Sequence, residues 1–124
     1  MHHVLIVEDD ESIAQLLQFM LQREGYAVEI CRDGRAAEGR IVAGPVPALV
    51  VMDVMLPYKD GFELIALLRC QPGWGQVPVL MLSAKSHEPD IVRALEAGSN
   101  GYVVKPFQPK EVMARVRQLI KGQA

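Results

Sequence analysis

Short apolar runs and longer amphipathic stretches alternate five times along the chain. The runs predict strands at 4–7, 27–31, 48–53, 78–83 and 101–105, because short runs of branched and apolar residues are typical of buried strands. After each run, apolar residues recur every three or four positions, which is the period of an amphipathic helix. Five strands that are each followed by a helix predict an α/β fold, with a parallel sheet covered by helices on both faces.

The predicted helices carry start and stop residues of the expected types. The first helix has an apolar face formed by Ile13, Leu16, Leu17, Met20 and Leu21. Three residues suit the first turn or the N-cap of a later helix: Asp33, Pro89 and Pro109. Three glycines suit helix ends: Gly25, Gly44 and Gly98. These residues place the helix boundaries without reference to any long-range contact.

Composition limits the classes of function. The 124 residues fit one domain, 1–124, and 50% of them are hydrophobic, enough for a sizeable core. The net charge of -2 gives no general attraction for nucleic acid or anionic membranes, so we expect no direct nucleic acid binding. No apolar segment reaches the length of a membrane helix, and acids at once follow the first apolar run, unlike a signal peptide. We therefore expect a cytoplasmic protein.

The two cysteines and the N-terminal histidines carry no evident chemistry. Cys31 and Cys70 are far apart and have no metal-ligand spacing, so we expect two half-buried free thiols in a reducing compartment. His2 and His3 have no neighbouring ligand residue, and we interpret them as a polar lead-in to the first strand.

Polar residues at the predicted strand ends are chemically unusual. Asp53 ends the apolar run of the third strand, and a charge there is costly unless it is solvated, paired or bound to a metal. In open parallel sheets, ligands bind beyond the carboxyl ends of the strands, where the strand order reverses. The residues at or just beyond these ends are Glu8, Asp9, Asp10, Asp53, Ser83 and Lys105.

Three of these acids are expected to converge. The first and third strands are neighbours in a doubly wound sheet, so Glu8, Asp9 and Asp53 would repel one another unless a cation lay among them. Hard oxygen ligands in a small hydrated site suit Mg²⁺, or Mn²⁺, better than Zn²⁺. Taken singly, the residues have simpler explanations, because acids favour helix N-termini, Lys105 could be solvated and Ser83 could be a cap.

Four segments together resemble the receiver domain of two-component response regulators. They are LIVEDD, VMDVMLPYKDG, VLMLSAK and GYVVKPF, in the order of that family and at about its spacing. The resemblance implies a flavodoxin-like, doubly wound (βα)5 three-layer sandwich with strand order 2-1-3-4-5. It also implies a signalling domain, not a turnover enzyme, in which Asp53 accepts a phosphoryl group from a sensor histidine kinase or a phosphotransfer protein.

The resemblance further implies a role for each strand-end residue. The Mg²⁺ ligands would be Asp9, Asp53, the backbone carbonyl of Met55 and, largely through water, Glu8. The groups that contact the phosphoryl oxygens would be the Ser83 hydroxyl and the Lys105 ammonium. The bond between Lys105 and Pro106 would be cis.

The resemblance also implies a conformational switch driven by phosphorylation, and residues that set the lifetime of the phosphorylated state. Ser83 would move toward the phosphoryl group, and the Tyr102 ring would turn inward with it, changing the surface of helix 4, strand 5 and helix 5. Met55 and Lys85 would flank the phosphoryl group and tune its hydrolysis.

The residues from 83 to 118 resemble the OmpR/PhoB branch, whose members dimerise through helix 4, strand 5 and helix 5. Glu111, Arg115 and Arg117 fit the charge pattern of that interface. Asn100 and Gly101 replace the two acids usual before the aromatic residue, as in single-domain chemotaxis-type regulators. The sequence is compatible both with a homodimer that uses these charged residues and with a last helix whose charged face is simply solvated.

Three other functions are compatible with parts of the pattern. A magnesium-dependent phosphatase with an aspartyl nucleophile would need a second acid two residues later, where Met55 stands. A flavin-binding protein would need a hydroxyl-rich phosphate loop after the first strand, where acids stand. A binding module that has lost phosphorylation would not need the intact strand-end residues.

Overall fold

The computed structural model describes residues 2–122, in which five strands alternate with five helices. The strands are β1 (His3–Val7), β2 (Ala27–Cys31), β3 (Leu49–Asp53), β4 (Val79–Ser83) and β5 (Gly101–Val104). The helices are α1 (Glu11–Arg23), α2 (Gly34–Ala43), α3 (Gly61–Cys70), α4 (Glu88–Glu96) and α5 (Pro109–Lys121). No helix in this part of the chain is long and apolar enough to cross a membrane.

The five strands form one parallel sheet in the order β2-β1-β3-β4-β5. The predicted flavodoxin-like fold and its strand order are therefore confirmed. The chain passes from β1 outward to β2 and then returns past β1 to β3, so the strand order reverses between β1 and β3. The register pairs Val7 with Met52, which brings the residues that follow β1 beside the end of β3. A crevice for a ligand is expected at this reversal.

The strands are apolar at nearly every position because both faces of the sheet are buried. Alternate residues of β3 belong to different clusters, with Val50 and Met52 on one face and Leu49 and Val51 on the other. The first face packs mainly against α2 and α3, and the second packs against α1 and α5. This arrangement explains why the strands read as uninterrupted apolar runs.

Acidic caps begin the helices that flank the carboxyl edge of the sheet. Asp10 accepts a hydrogen bond from the Ile13 N–H at 3.1 Å at the start of α1. Asp60 accepts one from the Glu63 N–H at 2.9 Å at the start of α3, and Glu63 completes a capping box. Each cap contributes on the order of 1 kcal/mol. The caps hold the first turns of α1 and α3 close to the ends of β1 and β3.

Some predicted boundaries and faces are wrong. β3, β4 and β5 exclude the predicted terminal residues Ala48, Pro78 and Lys105, each a difference of one residue at a strand end. Leu16 was predicted on the apolar face of α1 but is 41% exposed. It lies about 100° around the helix from the buried Leu17, outside the stripe that faces the sheet.

The two cysteines differ in burial, which corrects the prediction that both are half-buried. Cys31 is buried because it ends β2 within the cluster under α2 and α3. Burial raises the pKa of its thiol to about 11, with a further contribution from the Glu29 carboxylate. Cys70 is the last residue of α3 and is exposed.

The loop from 71 to 78 contains a core residue that its composition did not reveal. Trp74 lies among glycines and polar residues but is only 1% exposed. Its indole packs into the cluster under α2 and α3, and the Arg40 guanidinium carbon lies 5.8 Å from its ring centroid. This loop is therefore anchored to the core and is not merely a solvent-exposed turn.

Candidate functional site

Three carboxylates meet at the reversal of strand order. Glu8 follows β1 directly, Asp9 is the next residue, and Asp53 is the last residue of β3. Each offers a carboxylate oxygen, and these oxygens all lie within 4.8 Å of one another. Glu8 is 1% exposed and Asp53 is 5% exposed, whereas Asp9 is open to solvent. The structure thus brings together the three acids that the sequence predicted to converge.

The Lys105 ammonium bridges the two buried acids. Its Nζ donates to Glu8 Oε1 at 2.8 Å and to Asp53 Oδ2 at 2.9 Å. The side chain reaches them from just beyond β5, passing the end of β4, and is itself half-buried. The peptide bond between Lys105 and Pro106 is cis, as predicted.

The remaining carboxylate oxygens of the buried acids are held by backbone N–H groups. Asp10 N–H donates to Glu8 Oε2 at 3.2 Å, and Met55 N–H donates to Asp53 Oδ1 at 3.1 Å. Each buried carboxylate is therefore fixed at both oxygens, one by the ammonium and one by the loop that follows its strand. This fixation orients Glu8 and Asp53 toward a common space.

The cluster carries an excess of negative charge. Burial raises the pKa of the Glu8 carboxyl to about 7, because desolvation outweighs the lowering by the Lys105 hydrogen bond and Asp53 adds to the increase. Burial by itself lowers the pKa of the Lys105 ammonium, but its hydrogen bonds to Glu8 and Asp53 raise it above its usual value. One ammonium cannot balance three carboxylates, so the site favours a further positive charge.

The donor set fits a small divalent cation. Three carboxylates with oxygens within 4.8 Å are hard ligands of the kind that Mg²⁺ and Mn²⁺ prefer. Asp9 keeps the cluster open to water, which suits ions that retain part of their hydration shell. A soft-metal site is not favoured, because neither Cys31 nor Cys70 belongs to this cluster.

Ser83, Lys85 and Tyr102 form a connected set next to the acids. Ser83 is the fully buried last residue of β4, one position beyond Leu82, which pairs with Asp53. Its Oγ accepts a hydrogen bond from the Lys85 N–H at 3.0 Å. The half-buried Tyr102 donates its hydroxyl hydrogen bond to the Lys85 carbonyl at 2.9 Å. The loop after β4 therefore links a hydroxyl beside the site to an aromatic ring on β5.

Sequence reasoning missed the role of Gly61 at this site. A Cβ built on Gly61 would lie 2.7 Å from the Asp53 carbonyl oxygen and 2.8 Å from the Met81 methyl. The start of α3 can approach the end of β3 only because this residue has no side chain. No local sequence pattern indicates that the start of α3 contacts the site, because this contact depends on how the helix packs against the sheet.

Comparison with known proteins identifies the family. The sequence matches the family described as response regulator receiver domain over residues 4–117. The chain belongs to this family. It is similar to the alkaline phosphatase synthesis transcriptional regulatory protein PhoP of Bacillus subtilis, with 45% identity over 118 residues, 95% of this chain and 48% of that protein. The chain spans about half the length of the curated relatives it matches.

Solved receiver domains share the whole fold. The receiver domain of the Francisella response regulator 1452 has a TM-score of 0.92 and 32% identity, covering 100% of both chains. The receiver domain of the sensor histidine kinase PA1611 of Pseudomonas aeruginosa has a TM-score of 0.87 and 29% identity, covering 97% of this chain and 98% of that one. That structure has a magnesium ion coordinated in its active site cleft.

Proposed function

We propose that residues 1–124 form a phosphoacceptor switch in which Asp53 receives a phosphoryl group from a sensor histidine kinase or a phosphotransfer protein. The observation that carries the proposal is the Asp53 carboxylate, which is nearly buried at the end of a rigid strand yet lies 2.9 Å from the Lys105 Nζ. Its oxygens also lie within 4.8 Å of those of Glu8 and Asp9. Membership of the receiver family supports the same assignment.

The reaction requires an anion to attack an anion. An Asp53 oxygen attacks phosphorus, the bond between phosphorus and the donor atom breaks, and the product is an acyl phosphate. The carboxylate has no proton to lose, so Glu8 and Asp9 are not general bases. Lys105 contributes a positive charge close to the attacking oxygen, and Ser83 offers a hydroxyl to another phosphoryl oxygen. Charge neutralisation is therefore the main task of the surrounding residues.

The metal would be held by Asp9, Asp53, the backbone carbonyl of Met55 and, through water, Glu8. When bound, Mg²⁺ or Mn²⁺ would supply positive charge that offsets the negative charges of the acceptor carboxylate and the incoming phosphoryl group. The close approach of three carboxylates and the backbone contact of Met55 with Asp53 support this ligand set. The magnesium ion in the PA1611 receiver domain supports it by analogy.

The output would be a change in the surface of α4, β5 and α5. The Ser83 Oγ accepts a hydrogen bond from the Lys85 N–H, so movement of Ser83 toward a phosphoryl group would pull on Lys85. Tyr102 would follow, because its hydroxyl donates a hydrogen bond to the Lys85 carbonyl. The changed surface would then bind a downstream partner or a second copy of the chain. This is a two-state equilibrium that a local modification shifts.

A homodimer would use Glu111, Arg115 and Arg117, which lie on the exposed face of α5. Arg117 already pairs with Glu24, which follows α1 in the same chain, at 2.8 Å between Nη1 and Oε1. An intermolecular role for Arg117 would require it to leave this partner, so Glu111 and Arg115 are the stronger candidates.

A cytoplasmic location, supported by the free thiols Cys31 and Cys70, is part of the same proposal.

The test is incubation of the 124-residue protein with acetyl phosphate and Mg²⁺, followed by intact mass measurement. We expect a gain of one phosphoryl group that is absent from Asp53→Ala and from samples treated with EDTA. Asp33→Asn is the matched control, because Asp33 caps α2 just beyond β2 and asparagine keeps the cap. An unmodified wild-type protein, or a gain that persists in Asp53→Ala, would refute the proposal.

A further inference from the structure

The loop between β3 and α3, residues 54–60, is tied to the beginning of α2. The Gly34 N–H donates to the Pro57 carbonyl at 3.0 Å. The Arg35 guanidinium carbon lies 4.2 Å from the centroid of the Tyr58 ring, which is the geometry of a cation–π contact. We call these two contacts the α2 clamp.

Gly34 makes the close approach of the two segments possible. A Cβ built on Gly34 would overlap the carbonyl oxygen of Lys59 and lie 2.7 Å from the Lys59 Cβ. Gly39, on the same helix, has nothing within 4 Å of the equivalent position. Glycine is therefore required at the first of these positions by packing against the loop, and not at the second.

Tyr58 adopts a backbone conformation that is unfavourable for its residue type. Its φ of 72° is in the left-handed region, where glycine and asparagine are tolerated better than an aromatic residue. The side chain is 70% exposed, so burial in the core does not compensate for this strain. The Arg35 guanidinium stacked on the ring is the contact that a glycine in this position would lack.

The same loop begins at the phosphoacceptor and carries a proposed metal ligand. Its base is fixed by two hydrogen bonds, from Met55 N–H to Asp53 Oδ1 at 3.1 Å and from Gly61 N–H to the Val54 carbonyl at 2.8 Å. Between these anchors, the α2 clamp restrains the middle of the loop from the opposite side.

We propose that the α2 clamp is a positioning element, in which Gly34, Arg35 and Tyr58 hold the loop so that the Met55 carbonyl faces the metal site. This inference rests on the proposed function, since it takes the Met55 carbonyl as a metal ligand. None of the three residues is among the proposed metal ligands or phosphoryl contacts, and each would act through the backbone of residues 55–59.

The first measurement is hydrogen exchange of the metal-free protein. We expect amides in residues 54–60 to exchange about two- to fivefold faster in Arg35→Ala and Tyr58→Asn, the range that one exposed cation–π contact gives. Asparagine tolerates the left-handed backbone, so Tyr58→Asn removes the ring without adding strain. Tyr58→Phe keeps the ring and should match the wild type. Both sites are exposed, so the variants should fold normally.

The second measurement is calorimetric titration with Mg²⁺. We expect Arg35→Ala and Tyr58→Asn to weaken Mg²⁺ binding by about two- to fivefold, and the double variant to be no weaker than either single variant, because both remove one contact. Gly34→Ala should weaken binding further through its overlap with Lys59, whereas the matched control Gly39→Ala should not change it.

The outcomes separate the two proposals. Wild-type protein that binds no Mg²⁺ would overturn the proposed metal site and the clamp together. Normal wild-type binding with unchanged affinity in Arg35→Ala and Tyr58→Asn, or with additive losses in the double variant, would overturn the clamp alone. Faster loop exchange without any loss of Mg²⁺ affinity would likewise show that the clamp does not position the site.

Discussion

At the scale of single residues, the site is shaped by the unequal numbers of buried acids and bases. Glu8 and Asp53 are both nearly inaccessible, and Lys105 is the ammonium that contacts them. Such a cluster is expensive to bury unless every charged atom has a partner. Hydrogen bonds from two loop N–H groups and from the shared ammonium offset the desolvation of the two buried acids, and the third acid, Asp9, stays exposed to solvent. The resulting negative excess favours positive charge at the site, both from Lys105 and from the metal ion of the proposed phosphoryl transfer.

The side chain of Met55 is predicted to set the lifetime of the acyl phosphate, together with Lys85. Met55 is exposed two residues after Asp53, where an apolar chain would keep water from the phosphoryl group. We expect phosphorylated Met55→Asn to lose its phosphoryl group about two- to tenfold faster, the range given by one new hydrogen bond to an attacking water. Decay is followed by intact mass after the phosphodonor is removed. Val42→Asn, at an exposed valine near the end of α2, is the control, and equal decay rates in all three proteins would contradict the role of Met55.

At the scale of elements, one arginine joins three segments at the edge opposite the site. Arg69 Nη1 donates hydrogen bonds to the carbonyls of Trp74 and Val77 at 3.1 Å and 2.6 Å. Its Nη2 donates to the Gly98 carbonyl at 2.7 Å and to Asn100 Oδ1 at 3.0 Å. The guanidinium thus ties the end of α3 to the loops before β4 and β5. Those contacts also explain how the loop around Trp74 stays closed over the core.

Loss of this arginine should destabilise the whole domain. We expect Arg69→Ala to lower the free energy of unfolding by about 2–4 kcal/mol, because several half-buried carbonyls lose a charged donor. Arg69→Lys should recover little, since one ammonium cannot reach both groups of acceptors. Guanidinium denaturation gives these values, and Arg23→Ala on the exposed end of α1 should change them by no more than about 0.5 kcal/mol. A wild-type value for Arg69→Ala would show that the hydrogen bonds contribute nothing to stability.

At the scale of the whole molecule, a metal ion bound to the acidic cluster would couple metal binding to folding stability. The carboxylates of Glu8 and Asp9 follow β1 and that of Asp53 ends β3, so the three are close together only in the folded chain. A cation that binds them therefore binds the folded state and stabilises it. Occupancy of the acidic cluster should therefore be measurable as a change in the stability of the whole domain.

Mg²⁺ should raise the thermal stability of the wild type and not that of Asp9→Ala. The expected gain is about 1–3 kcal/mol when the Mg²⁺ concentration is roughly ten to a hundred times Kd. Asp9 is exposed, so its removal should leave the metal-free protein folded. Differential scanning calorimetry with and without EDTA measures the change, with Asp33→Asn as a control that keeps the response. An equal gain in Asp9→Ala would exclude Asp9 as a ligand.

The secondary-structure elements of this protein follow from its sequence. The strands were predicted within about one residue at each boundary, and Asp33, Pro89 and Pro109 were correctly placed at helix starts, because period and cap chemistry depend on neighbours along the chain. The resemblance to receiver domains added the strand order and the cis bond before Pro106, and both are present. The polar residues at the strand ends also stood out, since a charge ending an apolar run has few structural explanations.

The contacts that complete the site were decided only by the tertiary structure. Lys105 bonds to Glu8 across 97 positions of sequence, and no local pattern specifies that one ammonium will reach both Glu8 and Asp53. The burial of Trp74 and the α2 clamp have the same origin, because they depend on which segments the sheet places side by side. Local chemistry therefore determined the secondary-structure elements and the candidate site residues, and long-range packing determined which residues those side chains contact.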